Sequence, residues 1–335
     1  MNALELQSQI FQQIRSKLPS NVHMVDEIAS VLDISNDSAY RRIRGDKPLA
    51  IEELYKLCSR FQLSLDQLLD VRSDTLVFGG SFIHPSSFRF DQYLRSAIQH
   101  VKYMASFKEK QMYYLCKDIP LFHHFHFEEV AAFKHYVWMK GIFNAPELAN
   151  KKFSLKDYPE ELFELGKQAL DIYNQIDSVE IWNLESINSS LRQIDYYHES
   201  GMFADEQEAL LIYEAYEKLI AHLDQMAAVG YKFNVKQLQS KTSGVYQMYL
   251  NEMIIGDNSI LVLLDNSKLA FVIHTVINIM TTRDVRFCDN MYECMQNLMK
   301  KSTLISSVGE RERSLFFKHL SNRISRRKES IKAGT

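Results

Sequence analysis

Residues 26–45, DEIASVLDISNDSAYRRIRG, constrain this chain more than any other stretch. Ile28 and Leu32 give a first short helix one apolar face, and Ala39 and Ile43, four apart, do the same for a second. Two such helices meet at a steep angle around a tight turn only where a small residue lets their backbones approach, and Ala29 is that residue. Ile34 plugs the turn, and the Ser35 hydroxyl is placed to cap the second helix. Gly45 then stops it, with Pro48 shortly after. With Ala39 and Ile43 inward and ~100° per residue, Asp37, Arg41 and Arg44 fall on the opposite face. Asn36, Ser38 and Tyr40 flank them near the helix start.

The surrounding residues complete a helical unit over 1–70. Leu6, Ile10, Ile14 and Leu18 mark a first helix that Pro19, Ser20 and Asn21 break. Ile51, Leu54, Leu57 and Phe61 mark a fourth, and Leu65, Leu68 and Leu69 a short fifth behind Ser64. Overall charge does not advertise a polyanion partner: the chain carries −3, and residues 1–70 hold eight Lys and Arg against ten Asp and Glu. Four of those eight lie in the short run of Arg41, Arg42, Arg44 and Lys47, and clustering matters more than the total. The start of such a helix suits base edges in a major groove, where Arg pairs with guanine and Asn with adenine. Arg42, Lys47 and the helix N-terminal amides suit phosphates.

This head resembles the Cro/C1-type (XRE) helix-turn-helix family, and its BetR-like branch in particular. Ala29, Ile34-Ser35, SAYRRIRG and the following IEELYKLCSRFQLSLDQLL carry the resemblance over about residues 1–70. Asp33 stands where that family usually has a turn glycine, and Ile43 falls one position later than its usual apolar site. The resemblance implies a bacterial transcription regulator with a lambda-repressor-like domain of five helices that binds double-stranded DNA as a homodimer. Asn36, Asp37, Ser38, Tyr40, Arg41, Arg42, Arg44 and Lys47 are the expected DNA-binding residues.

Residues 71–87, polar at Val71-Arg72-Ser73-Asp74 and flexible at Gly79-Gly80, read as a linker. Thr75 to Phe78 and Ser81 to Ile83 are candidate short strands around that glycine pair. Residues 88–335 then form a second, larger domain. Periodicity predicts helices over 88–105, 127–143, 159–175, 180–199, 205–229, 283–301 and 309–331. A strand is expected at Gln111 to Cys116, and a strand, turn, strand unit over Val245 to Leu264 around Gly256-Asp257-Asn258. The fold class is therefore mainly α: the helix-turn-helix head, then a helix-rich α+β domain with a small β-hairpin or sheet. That domain is expected to serve dimerisation, with a small-molecule or peptide effector as its signal. The alternative is a protein- or peptide-interaction module in which the helical part works and the head is a scaffold.

Candidate chemistry in the second domain is sparse. His123, His124 and His126, with Asp118, Glu128 and Glu129, offer ligand types for zinc or iron, but no HExxH or paired-cysteine spacing supports a site, so no metal and no cofactor are expected. Cys288 and Cys294, six apart, sit on different helix faces. The stripe Phe133, Tyr136, Val137, Trp138 and Phe143 reads as core. The carboxylates at Asp171, Asp177, Glu180, Glu185, Glu206 and Glu208 read mostly as solvated helix faces. With no phosphate loop, nucleophile elbow or Cys-His signature, an enzyme is not expected. The last helix is basic, with Leu315, Phe316, Leu320 and Ile324 as an apolar face. The four cysteines form no CxxC pair, no apolar leader opens the chain, and no run approaches the ~20 apolar residues of a membrane span, so a cytoplasmic protein is expected.

Overall fold

The computed structural model describes residues 2–334 apart from 20, 62, 64–75, 81–87, 236, 238–242, 254–255 and 276. The expected fifth helix of the head and the candidate strand at Ser81 to Ile83 lie outside the described residues.

Among the described residues four helices build the head: α1 (Ala3–Lys17), α2 (Met24–Leu32), α3 (Asn36–Ile43) and α4 (Ile51–Phe61). Asn2 and Glu5 close a reciprocal capping box on α1, so two orphan amides of its first turn find partners. Ile10, Phe11, Ile14, Ile28, Leu32 and Leu57 form a core separate from that of the body. Each such side chain contributes roughly 1.5–3 kcal/mol of gross burial free energy.

The body is organised by a seven-stranded mixed sheet in the order β6-β5-β4-β1-β2-β3-β7. Its centre is parallel: β1 (Lys110–Leu115), β2 (Asp177–Trp182) and β3 (Tyr246–Leu250). Helices α6 (Glu128–Gly141) and α7 (Glu160–Tyr173) lie between the first two strands in sequence, and α8 (Asn188–Glu199) and α9 (Gln207–Val229) between the next two. Beside β1 runs an antiparallel meander of β4 (Ser259–Leu264), β5 (Ser267–Thr275) and β6 (Asn278–Thr282), and β7 (Thr303–Leu304) pairs antiparallel with β3. Alternation along β1 and β2 sorts side chains to two faces. Met112, Tyr114 and Trp182 join the core shared by α5 (Phe90–Ala105), α6 to α9 and α11 (Glu310–Gly334). Tyr113, Leu115, Val179 and Ile181 join the opposite core with Cys288 and Met295 of α10 (Val285–Lys300). Central strands covered on both faces are the usual condition of parallel pairing.

The fold is thus mainly α, with a helical head and a body of helices on a sheet. Two local expectations fail. The helix expected over 180–199 starts only at Asn188, because Val179 and Ile181 alternate with Glu180 and Trp182 in an extended strand, β2. The unit over Val245 to Leu264 is no hairpin: β3 joins β2 and β4 joins β1, so residues 256–258 lead across the sheet rather than around a turn. A tight hairpin joins β4 to β5 instead, turning at Asp265 with φ 46°. Gly79, beside the candidate strand at Thr75 to Phe78, makes an isolated antiparallel bridge to Thr281.

Tyr103 joins head to body. Its hydroxyl donates to the Lys17 carbonyl at the end of α1 (2.7 Å) and accepts from Arg283 Nη2 (2.7 Å).

Candidate nucleic-acid interface

The turn between α2 and α3 is built as the sequence suggests, with one unusual residue. Asp33 adopts the left-handed conformation, φ 56° and ψ 52°, and the Asp33 and Ile34 amides both donate to the Ala29 carbonyl. Aspartate tolerates this region better than most residues, which is how the turn forms without glycine. Ser35 begins α3, its Oγ accepting from the Ser38 amide (3.3 Å). Gly45 follows α3 at φ 82°, a backbone conformation that favours glycine.

The structure brings Asp37, Tyr40, Arg41 and Arg44 together on an exposed stripe of α3, with Asn36 at its start and Lys47 exposed just beyond. Asn36 Nδ2 is drawn back toward α2, donating to Asp26 Oδ1 (2.8 Å). Ser38 is half-buried and occupied with the cap. Arg44 lies 3.3 Å from Asp46, both well exposed, so this pair holds Arg44 only weakly.

Arg42 corrects the sequence reading. It is 4% exposed and faces inward, so it does not stand on the stripe that phosphates would meet. Its Nη2 lies 2.6 Å from Glu53 Oε1, its Nε within 3.1 Å of both Glu53 oxygens, and its Nη1 donates to the Ser38 carbonyl (3.0 Å). The hydrogen bonds that Arg42 donates hold the Glu53 carboxyl below its ordinary range, and their acceptance by Glu53 raises Arg42 above its own. Glu53 also accepts from the Ala50 amide ahead of α4, so one carboxylate fixes α3 and caps the next helix. Arg42 occupies the inward position one residue before Ile43, which accounts for the shifted apolar site.

A second positioning residue was missed. Gln7 of α1, 7% exposed, donates to the carbonyls of Arg42 (2.6 Å) and Lys47 (2.9 Å) and accepts from the Leu49 amide (3.0 Å). It clamps the loop that follows α3. Its signal was a polar residue in line with Phe11 and Ile14 on the buried face of α1.

The remaining candidates are structural in their geometry. His123 Nε2 lies 2.8 Å from Glu180 Oε1, and Glu180 also accepts from Trp182 Nε1 (2.7 Å), Tyr246 Oη (2.8 Å) and Tyr173 Oη. Glu180 is therefore a buried carboxylate rather than a solvated one. Burial pushes it up, but His123 and the hydroxyl donors outweigh that and hold it at about 2. His126 packs against His222, whose Nε2 lies 2.9 Å from the Phe233 carbonyl. Among the described residues no three His, Cys, Asp or Glu side chains converge as metal ligands do. Burial raises the Cys288 thiol to about 11, the wrong direction for a reactive thiolate. Phe133, Tyr136, Val137, Trp138 and Phe143 are all buried in the body core. On α11, Phe316, Leu320 and Ile324 face inward while Leu315 is exposed. Its Arg313, Arg323, Arg327 and Lys328 pair with acids of α8, α9 and the segment before α8. Among the described residues no helix is long and apolar enough to cross a membrane.

No curated protein and no solved structure matches the chain. A family model does match part of it, from within α1 through the end of α5 and so beyond the boundary expected at residue 70. Residues 8–106 match the BetR domain, and the head of this chain is accordingly a DNA-binding domain of the helix-turn-helix type.

Proposed function

We propose that this chain is a sequence-specific transcription regulator of the Cro/C1-type (XRE) group, working in the cytoplasm of a bacterium as a homodimer. The observation that carries the reading is the exposed stripe Asp37, Tyr40, Arg41 and Arg44 on a helix that Ser35 caps and Gln7 clamps. Two such helices related by a twofold axis read half-sites ~34 Å apart in successive major grooves. Arg41 and Arg44 would make base contacts and Lys47 a phosphate contact, while Arg42 keeps α3 at the right angle. The body, residues 88–335, would hold the two heads together and receive the signal, with no catalytic role of its own.

The test is selection of bound fragments from a random DNA pool by the purified full chain, followed by gel shifts across a salt series. The expected result is a palindromic motif whose affinity falls steeply with salt, by a log–log slope of ~0.9 per phosphate neutralised. A pool that yields no enriched motif would end the proposal.

A further inference from the structure

A cleft of about 1400 Å³ opens between α5 and the sheet of the body. Ala97, Val101 and Met104 of α5 form one wall, and Met112, Ile260 and Phe271 of the sheet lie across from them. The end nearest the start of α8 is polar and carries Lys117 and Arg192, both exposed. Among the described residues neither has an ion-pair partner. Among the described residues the acids that border the cleft are Asp118, Glu185 and Asp257. Asp118 is engaged by Lys134 (2.8 Å) and by Ser190 (3.1 Å), and Glu185 by Arg323 (3.3 Å). That leaves two cations facing one uncommitted carboxylate, so this end has an excess of positive charge. His124 also borders the cleft at 2% exposure, and among the described residues neither of its ring nitrogens has a hydrogen-bond partner. Buried polar groups in folded proteins are nearly always paired, and an unmet pair beside a cavity points to an occupant.

Both walls of the cleft converge on the contact with the head. On α5, Tyr103 lies between the lining residues Val101 and Met104 and donates to the Lys17 carbonyl. On the other side, Ile279 and Thr281 of β6 line the cleft, and Arg283, directly after β6, donates to Tyr103 Oη. A ligand inserted between α5 and β6 therefore bears on Tyr103, which bonds the end of α1. We propose that the cleft binds an amphipathic carboxylate as effector of the DNA-binding head, its apolar body between α5 and the sheet and its head group between Lys117 and Arg192. The effector role rests on the regulator reading given above; the binding site does not.

Dodecanoate is the probe, titrated against the full chain carrying the fluorophore anilinonaphthalene sulfonate. The expected result is saturable displacement of the fluorophore by dodecanoate, weakened about tenfold in Arg192→Glu and abolished in Ala97→Trp, with far-UV circular dichroism unchanged. Dodecanol, with the same chain and no charge, should compete at least about tenfold less well. Equal competition by dodecanol, or Arg192→Glu and Ala97→Trp both behaving as the parent, overturns the site. In gel shifts with a selected fragment, dodecanoate should change DNA affinity in the parent and leave Tyr103→Phe unmoved. Dodecanoate bound with DNA affinity unmoved overturns the effector role. A chain that binds dodecanoate but enriches no DNA overturns the regulator reading and leaves the site standing.

Discussion

Arg42 of α3 is locked to Glu53 of α4, with 2.6 Å between Nη2 and Oε1 and side-chain exposures of 5% and 19%. The pair couples the orientation of the exposed stripe to the helix behind it. Removing one partner strands the other charge in a poorly hydrated place, whereas replacing both does not. Arg42→Ala should destabilise the head by ~3–5 kcal/mol, and the double replacement Arg42→Met with Glu53→Leu should recover most of that loss. Urea unfolding followed by circular dichroism measures both, and a single variant no less stable than the parent would show the pair to be ornamental.

Arg41 and Arg44 should behave in the opposite way. Each is exposed, so Arg41→Ala or Arg44→Ala should leave the unfolding midpoint within experimental scatter. Each should weaken binding to a selected fragment by ~1–3 kcal/mol and relax preference at one base position. Unchanged gel-shift affinity in both variants takes these residues off the reading face.

Acid should weaken the body well before carboxylates titrate in bulk. Burial lowers His124 to about 3 and His135 and His222 to about 4, and takes His126 well below its ordinary value. Unfolded histidine titrates near ~6.5, so between that value and 4 the unfolded chain binds more protons than the folded one. Stability is then present in full above pH ~6.5 and lost as pH falls through this window. Urea midpoints recorded from neutral pH down to 4 should drop steeply, and His135→Phe should flatten the slope. A midpoint flat across that range would contradict the assignment of buried, neutral rings.

Gly166 lies on α7 with Phe125 pressed against it, and a Cβ there would sit 1.9 Å from Phe125 Cδ1. Helix propensity alone favours alanine over glycine at an interior position. Here the overlap should win, and Gly166→Ala should destabilise the body by ~1–3 kcal/mol. A more stable variant in thermal unfolding would mean that Phe125 can move aside.

These contacts explain which parts of the molecule were legible in the chain. The turn and cap of residues 26–45 are local, set by Ala29, Ile34, Ser35 and Gly45 within a few residues of one another, and local periodicity reads them correctly. Arg42 was misplaced because its partner Glu53 lies on the next helix, and a guanidinium reads as solvent-facing unless that partner is known. Gln7 was passed over for the same reason: its three backbone partners lie beyond α3. In the body the helices show their period, but strand pairing does not. Residues 245–264 looked like one hairpin because adjacent strands usually pair, while the sheet sends β3 to β2 and β4 to β1. Glu180 resembled the other carboxylates because two of its partners, His123 of the 3-10 segment and Tyr246 of β3, are distant in sequence, and only they join Tyr173 and Trp182 around it. The cleft was not legible at all, since its walls come from α5 and from strands far along the chain.

The strand order has a consequence for how the molecule is made. β1 pairs with β2 on one side and, on the other, with β4, so Gln111, opposite Asp177 in one ladder, waits for Leu263 before it has the other. The helices of the head meet partners within the first sixty or so residues, and such short loops close fastest. During synthesis the head is complete on the ribosome while the first strand of the body still has open edges. The body's helices must shield those edges until the meander arrives, which makes translation through residue 264 the interval in which this chain is most exposed to misassembly.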